Sequence, residues 1–300
     1  MQLPQTSATD RRQPVLRFAP SPNGELHLGH ALSALVGFAM ARRLGGRFLL
    51  RIEDIDPARS REEFIASILD DLHWLGVTWE EPVLRQSQHM ADYVAAATRL
   101  QALGVLYPCF ATRAEIQDAA RAAGAGSDPE GTPLYPGLHK GLSPDEIGRR
   151  IERGEPFAMR LDMARAMALA HERLGGRPLT FTELDENLVP RTIAADPARW
   201  GDVIIQRKDV PTSYHLAVVV DDARQNVSHV TRGSDLFAAT DLHRLLQVLL
   251  SLPEPMYHHH RLIVDTSGRK LAKSARDTSL RELRRNGATP ADVRRLIGIE

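Results

Sequence analysis

The chain has 300 residues with 38 Lys and Arg against 38 Asp and Glu, so its formal net charge is zero. Hydrophobic residues at 43% and charged residues at 25% are those of a globular protein able to bury a large core. The balance excludes a nucleic-acid binder held by net charge alone, the single cysteine, Cys109, excludes a disulfide framework or Cys-rich zinc ribbon, and no apolar run is long enough to span a bilayer.

Residues 1–13 read as a disordered polar leader without a signal-peptide core, so a cytoplasmic location is expected. Pro14–Phe18 reads as a short buried strand, followed by the turn run Pro20-Ser-Pro-Asn-Gly24. His27–Leu44 has helical spacing, with Leu28, Leu32, Leu35, Val36, Ala39 and Leu44 mostly on one face, and Gly45-Gly46 stops it. Arg47–Ile52 is the next strand, with Phe48, Leu50 and Ile52 alternating against Arg47, Leu49 and Arg51. Ser60 can cap a helix running to about Leu75, and another helix covers about His89–Leu103. This β-α-β-α order predicts a parallel α/β sheet.

Residues 122–141, rich in Gly, Pro and Ser, read as a surface excursion, 143–153 as a short helix and Phe157–Leu161 as a strand. Val203–Gln206 and Val227–Thr231 are expected strands, and Asp235–Leu250 a helix. Tyr214–Asp222 is ambiguous: Val218-Val-Val220 favours a strand, while the length allows a helix. His258-His-His260 precedes an expected strand at Arg261–Val264. Rings alternating across an extended segment make a three-histidine metal site awkward there. Two short helical patterns, about 278–286 and 290–298, follow.

Two motifs carry chemistry. In Arg17–His30 a strand end delivers a Pro/Gly turn that opens a helix, whose first backbone N–H groups form an anion site. His27 and His30 can donate to phosphate oxygens there, and Gly29 lets a ring or backbone approach closely. In Arg269-Lys-Leu-Ala-Lys-Ser274, two lysines three apart can neutralise a triphosphate as charge develops on it. Either motif alone is compatible with plain surface. Together, in this order and at the two ends of an α/β chain, they are far more specific.

With these motifs in hand, the chain resembles the catalytic domain of class I aminoacyl-tRNA synthetases of the glutamyl type, over about residues 15–275. His27-Leu-Gly-His30 and Lys270-Leu-Ala-Lys-Ser274 correspond to the HIGH and KMSKS motifs of that family. Arg17–Gly24, Arg51–Asp56, Tyr214–Asp222 and Arg232–Leu236 match stretches of its glutamyl branch. The resemblance implies a Rossmann-type nucleotide-binding parallel sheet interrupted by an inserted α+β subdomain. Residues 14–104 and 196–255 would be its halves, 105–195 the insertion, and 256–300 the KMSKS loop and a short helical segment. About 26 residues follow Ser274, too few for an anticodon-binding domain. This points to the truncated subfamily that attaches glutamate to queuosine in the anticodon of tRNA(Asp).

The resemblance implies formation of glutamyl-adenylate from L-glutamate and ATP, with Mg2+ accompanying ATP, and transfer to a queuosine hydroxyl. His27, Gly29, His30 and Lys273 would bind ATP, with Lys270 as helper. Arg17 and Arg232 would pair with carboxylates, Glu53 would take the α-amino group, and Ser21 and Tyr214 would add hydroxyl contacts. Relatives hold zinc in the insertion through Cys-x-Cys, Tyr and a later Cys. Here Cys109, Tyr135 and His139 remain, but Ala111 cannot ligate, so zinc is expected to be absent.

From Arg261 to Arg295 ten Lys and Arg face four acids, whereas Glu62, Glu63, Asp70, Asp71, Glu80 and Glu81 cluster early. The chain is thus neutral by segregation, and the basic C-terminal face is expected to meet the tRNA backbone. A monomer is expected. Two other functions fit less well: a truncated glutamyl-tRNA synthetase charging a 3′ end, and a non-catalytic tRNA- or nucleotide-binding paralogue.

Overall fold

A computed structural model of the chain describes residues 13–263 and 278–299. The N-terminal part runs β1 (Val15–Phe18), α1 (Leu28–Arg43), β2 (Arg47–Ile52), α2 (Glu62–Trp74), β3 (Glu80–Arg85) and α3 (Met90–Ala102). The middle contains β4 (Leu106–Cys109), α4 (Arg113–Ala122), α5 (Pro144–Glu152), β5 (Ala158–Leu161), α6 (Met163–Arg173), β6 (Thr180–Leu184), β7 (Pro190–Ala194) and β8 (Ile204–Gln206). The remainder is α7 (Tyr214–Arg224), β9 (His229–Gly233), α8 (Ala239–Leu250), β10 (Met256–His260), α9 (Leu280–Arg285) and α10 (Pro290–Leu296).

β1, β2 and β3 pair in parallel, with Leu16 opposite Phe48 and Phe18 opposite Leu50. A second sheet has the order β7-β6-β10-β9, parallel where β10 meets β6 and β9 and antiparallel between β6 and β7. β1 lies beside β9, tied by Ser228 N–H to the Val15 carbonyl at 2.9 Å and Val15 N–H to the Ser228 hydroxyl at 2.8 Å. From the β1/β9 junction the chain moves outward to β2 and β3 on one side and to β10 on the other, beyond which lie the earlier strands β6 and β7. Such a junction is the switch point at which open parallel sheets bind ligands beyond their strand ends. The described helices include none long and apolar enough to cross a membrane.

Several elements depart from the sequence expectation. Residues 214–224 are helical: Ser213 caps them by accepting from Leu216 N–H, and burial of Val218 and Val219 outweighs the weak helix propensity of valine. Ser60 does not cap α2. The N-cap is Arg61, without a side-chain bond, and Ser60 N–H instead closes a turn onto the Asp56 carbonyl. In α1, Ala39 is exposed, and the packed face runs through Ala31, Leu32, Ala34, Leu35, Met40 and Ala41. A Cβ at Gly37 would come within 2.7 Å of Thr231 Oγ1, so this glycine sets how closely α1 lies on β9. His258-His-His260 belongs to the strand itself, and 261–263 are irregular.

Strand pairing also redistributes the insertion. β8, expected in the second half of the catalytic sheet, pairs antiparallel with β5 and completes the sheet β4-β5-β8. β6, expected within the insertion, pairs with β10 in the main layer. Both strands are short, and their edges find partners that local sequence does not encode.

Candidate active site

A cavity of about 530 Å3 opens where the C-terminal ends of β1, β2, β9 and β10 meet the N-terminus of α1. Arg17, Ser21, His27, Gly29, His30, Glu53, Tyr214 and Arg232 all line it. Every described residue that the sequence assigned to glutamate or ATP thus meets in one space. Lys270 and Lys273 lie outside the described residues.

The histidine motif is a helix cap. His27 is the N-cap of α1, and its Nδ1 accepts from Gly29 N–H at 3.1 Å, while His30 Nδ1 accepts from His27 N–H at 3.2 Å. The rings lie 3.9 Å apart between centroids. This reciprocal bonding is a capping box built from imidazoles. With both Nδ1 atoms acting as acceptors, the ring proton of each neutral histidine sits on Nε2, the atom suited to donate to a phosphate oxygen. A Cβ at Gly29 would stand 2.9 Å from His27 Cε1, so the ring that approaches this glycine is that of His27 itself.

Beneath the cavity lies a buried charge cluster. Arg17 bonds Asp222 through two nitrogens, Nε at 2.9 Å and Nη2 at 3.3 Å. Arg51, fully buried, reaches Asp222 at 2.8 Å, Gln225 at 3.0 Å and Glu53 at 3.4 Å. Asp222 is held below the usual carboxylate range: burial opposes this, but the guanidiniums of Arg17 and Arg51 outweigh it. For Glu53 the order reverses, and burial pushes its carboxyl above the ordinary value despite Arg51 and Arg17. Tyr214 begins α7, and burial also raises its phenol.

Arg232 differs from Arg17. It is only 5% exposed, yet no carboxylate of a described residue pairs with it. Its Nε donates to His259 Nε2 at 3.1 Å, Nη1 to His243 Nδ1 at 3.1 Å and Nη2 to Thr240 Oγ1 at 2.7 Å. Sequence reading missed Arg51, Asp222, His243 and His259 as parts of this frame. Arg51 and Asp222 stood inside quoted motifs, but nothing local showed that strand β2 and helix α7 bring them into contact.

In the insertion, Cys109 Sγ donates to Tyr135 OH at 3.3 Å, and His139 Nδ1 accepts the N–H groups of Phe110 and Ala111, each at 3.1 Å. The three side chains do come together, but Ala111 offers no donor atom and the His139 Nδ1 lone pair faces the backbone. This set does not fit a four-ligand zinc site.

Residues 14–298 match the family of class I tRNA synthetases (E and Q), catalytic domain. The Glutamyl-Q tRNA(Asp) synthetase of Rhodobacter capsulatus is 46% identical over 95% of this chain and 100% of its own length. That of Nocardia farcinica is 39% identical over 94% of this chain and 82% of its own length. A solved glutamate tRNA ligase from Elizabethkingia meningosepticum, in complex with its amino acid, shares the fold at a TM-score of 0.69 and 24% identity. It is covered over 54% of its length by 92% of this chain, which therefore spans about half of that ligase. The chain belongs to the class I tRNA synthetase family for Glu and Gln, in its glutamyl-Q tRNA(Asp) synthetase branch.

Proposed function

We propose that this protein activates L-glutamate with ATP and transfers the glutamyl group to queuosine in the anticodon of tRNA(Asp). The observation that carries the reading is the single cavity in which a histidine-capped helix N-terminus, an anion site, faces an unneutralised guanidinium and a buried carboxyl. Glutamate brings two carboxylates and an ammonium. Glu53 receives the ammonium, Arg232 a carboxylate, and Arg17 contributes a further N–H while Asp222 fixes its orientation. Ser21 and Tyr214 add hydroxyls at the rim.

In the first step the α-carboxylate of glutamate attacks the α-phosphorus of ATP and pyrophosphate leaves. Magnesium enters with ATP, as part of the substrate. His27 and His30 donate from Nε2 to the phosphates, and Lys273, assisted by Lys270, meets the departing charge. In the second step a queuosine hydroxyl attacks the acyl carbon and AMP leaves. Positioning and electrostatics carry both steps. We further propose a monomeric, cytoplasmic enzyme without zinc in the insertion, organised as two halves of a nucleotide-binding domain around that insertion.

The test is transfer of labelled glutamate to tRNA(Asp) with and without queuosine, beside tRNA(Glu). Label is expected on queuosine-containing tRNA(Asp) alone. Label on tRNA(Glu), or equal label on both forms of tRNA(Asp), overturns the reading in favour of 3′-end charging. Absence of any glutamate-dependent ATP–pyrophosphate exchange leaves a binding protein.

A further inference from the structure

The Arg232 guanidinium is a permanent charge, almost wholly buried, surrounded by neutral acceptors. This is unusual, because buried guanidiniums are normally matched by carboxylates, as Arg17 and Arg51 are here. The nearest negative charge along its bonded shell is one residue removed. Glu183 binds His259 twice, accepting from its backbone N–H and from its ring Nδ1, both at 2.8 Å. That arrangement puts the ring proton of His259 on Nδ1 and turns the Nε2 lone pair toward Arg232.

His243 is arranged the other way round. Its Nδ1 accepts from Arg232, so its proton sits on Nε2, which donates to His215 Nδ1 at 3.2 Å. Burial is the first cause keeping all three rings neutral: it brings His215 down to about 4, His243 well below its ordinary value, and His259 lower despite Glu183. Three of the five guanidinium N–H groups are thereby fixed. The remaining two, one on each terminal nitrogen, take no part in these bonds, and Arg232 lines the cavity, where the two oxygens of a carboxylate match that number of donors.

We infer that His243 and His259 are positioning residues that hold Arg232 oriented but deliberately unneutralised, and so make the site selective for a substrate carboxylate over the corresponding amide. A carboxylate in that shell would satisfy Arg232 internally and remove its demand for an anionic substrate, whereas an amide substrate leaves the buried charge unmatched. The inference rests on the proposed activation of glutamate, but not on the identity of the tRNA acceptor.

The test compares glutamate and glutamine in ATP–pyrophosphate exchange. The wild type and the variants His243→Asn, His243→Leu and His243→Asp are measured, with melting temperatures for each. Asparagine keeps an acceptor near the Nδ1 position, and KM for glutamate should stay within about threefold of wild type. Leucine removes the acceptor, and KM should rise about tenfold with kcat little changed. Aspartate should raise KM for glutamate at least about a hundredfold while leaving that for glutamine nearly unchanged, so that the preference collapses.

Thr240→Asp, which places a carboxylate on the other terminal nitrogen, should repeat the aspartate result from an independent position. If both aspartate variants unfold, the contrast between leucine and asparagine decides. An unchanged glutamate-to-glutamine ratio in the folded aspartate variants overturns the inference, as does an equal effect of leucine and asparagine. If the wild type itself shows no glutamate-dependent exchange, the proposed function fails instead.

Discussion

Two acids of the site illustrate how environment assigns different roles to the same side-chain chemistry. Asp222 touches two guanidiniums and stays ionised, so it acts as a fixed anchor for Arg17 and Arg51. Glu53 pairs among the described residues with Arg51 alone, at 3.4 Å, and burial raises its pKa against the pull of Arg51 and Arg17. In the proposed binding mode the substrate ammonium adds a positive charge beside Glu53. The sign follows directly: a protonated Glu53 cannot pair with the ammonium, so glutamate binding weakens as pH falls through the raised pKa. We expect KM for glutamate to climb on acidification at a pH above the ordinary 4.5 of a glutamate side chain. Glu53→Gln should raise KM roughly 10–100-fold and remove that part of the pH profile. Retention of the acid limb in Glu53→Gln would assign it to another group.

At the scale of elements, α1 carries the candidate site because its N-terminal cap is made of the two side chains that we propose bind ATP. His27 and His30 cap the helix with Nδ1 and present Nε2, so fold and chemistry use opposite edges of the same rings. Gly29→Ala tests this coupling. The new Cβ would stand 2.9 Å from His27 Cε1 and push the ring off its cap. Loss of a cap costs about 1 kcal/mol, while displacing a phosphate donor by part of an ångström should lower kcat for exchange roughly 10–100-fold. A variant with full activity and only a lowered melting temperature would make the motif a cap and nothing more.

This coupling also explains what could be read from sequence. The strand–turn–helix around His27 is encoded locally, by Pro/Gly turn residues and an apolar helix face, and its location was legible. The shell of Arg232 was not, because it gathers β6, β9, α8 and β10, whose partners are chosen by sheet pairing. His259 could be recognised as extended and alternating, but not as the ring that meets Arg232. Likewise α7 looked ambiguous because valine propensity competes with burial, and burial is decided by α3 and α8.

For the whole molecule, segregated charge takes a specific form. The acidic helix α2 and the basic helix α9 lie against one another. Burial first, then Glu25, pushes the Asp71 carboxyl up to about 6, while Arg284 and Arg281 pull it down. Arg281 pairs with Glu25 at 3.4 Å, and the Arg284 guanidinium lies 6.0 Å over the Trp74 ring. Arg294 bonds the Leu75 carbonyl at 3.2 Å, Arg261 bonds the Ile297 carbonyl, and Arg295 pairs with Asp292. Among the described residues, Arg261, Arg281, Arg284 and Arg294 therefore tie the C-terminal helices to the rest of the fold, while Arg295 pairs within its own helix. Arg285 is exposed and has no ion-pair partner among the described residues. Its contribution should be separable from that of its neighbours. Arg285→Ala should weaken binding of queuosine-containing tRNA(Asp) at low salt and reduce the slope of log K against log salt by about 0.7–0.9, the release of one counterion. Glutamate-dependent exchange and melting temperature should be unchanged. Arg284→Ala should act mainly on melting temperature, because its ring contact with Trp74 ties α9 to α2. If Arg285→Ala leaves the salt slope intact, the C-terminal face is turned away from the tRNA, and its arginines serve only to hold the last two helices in place.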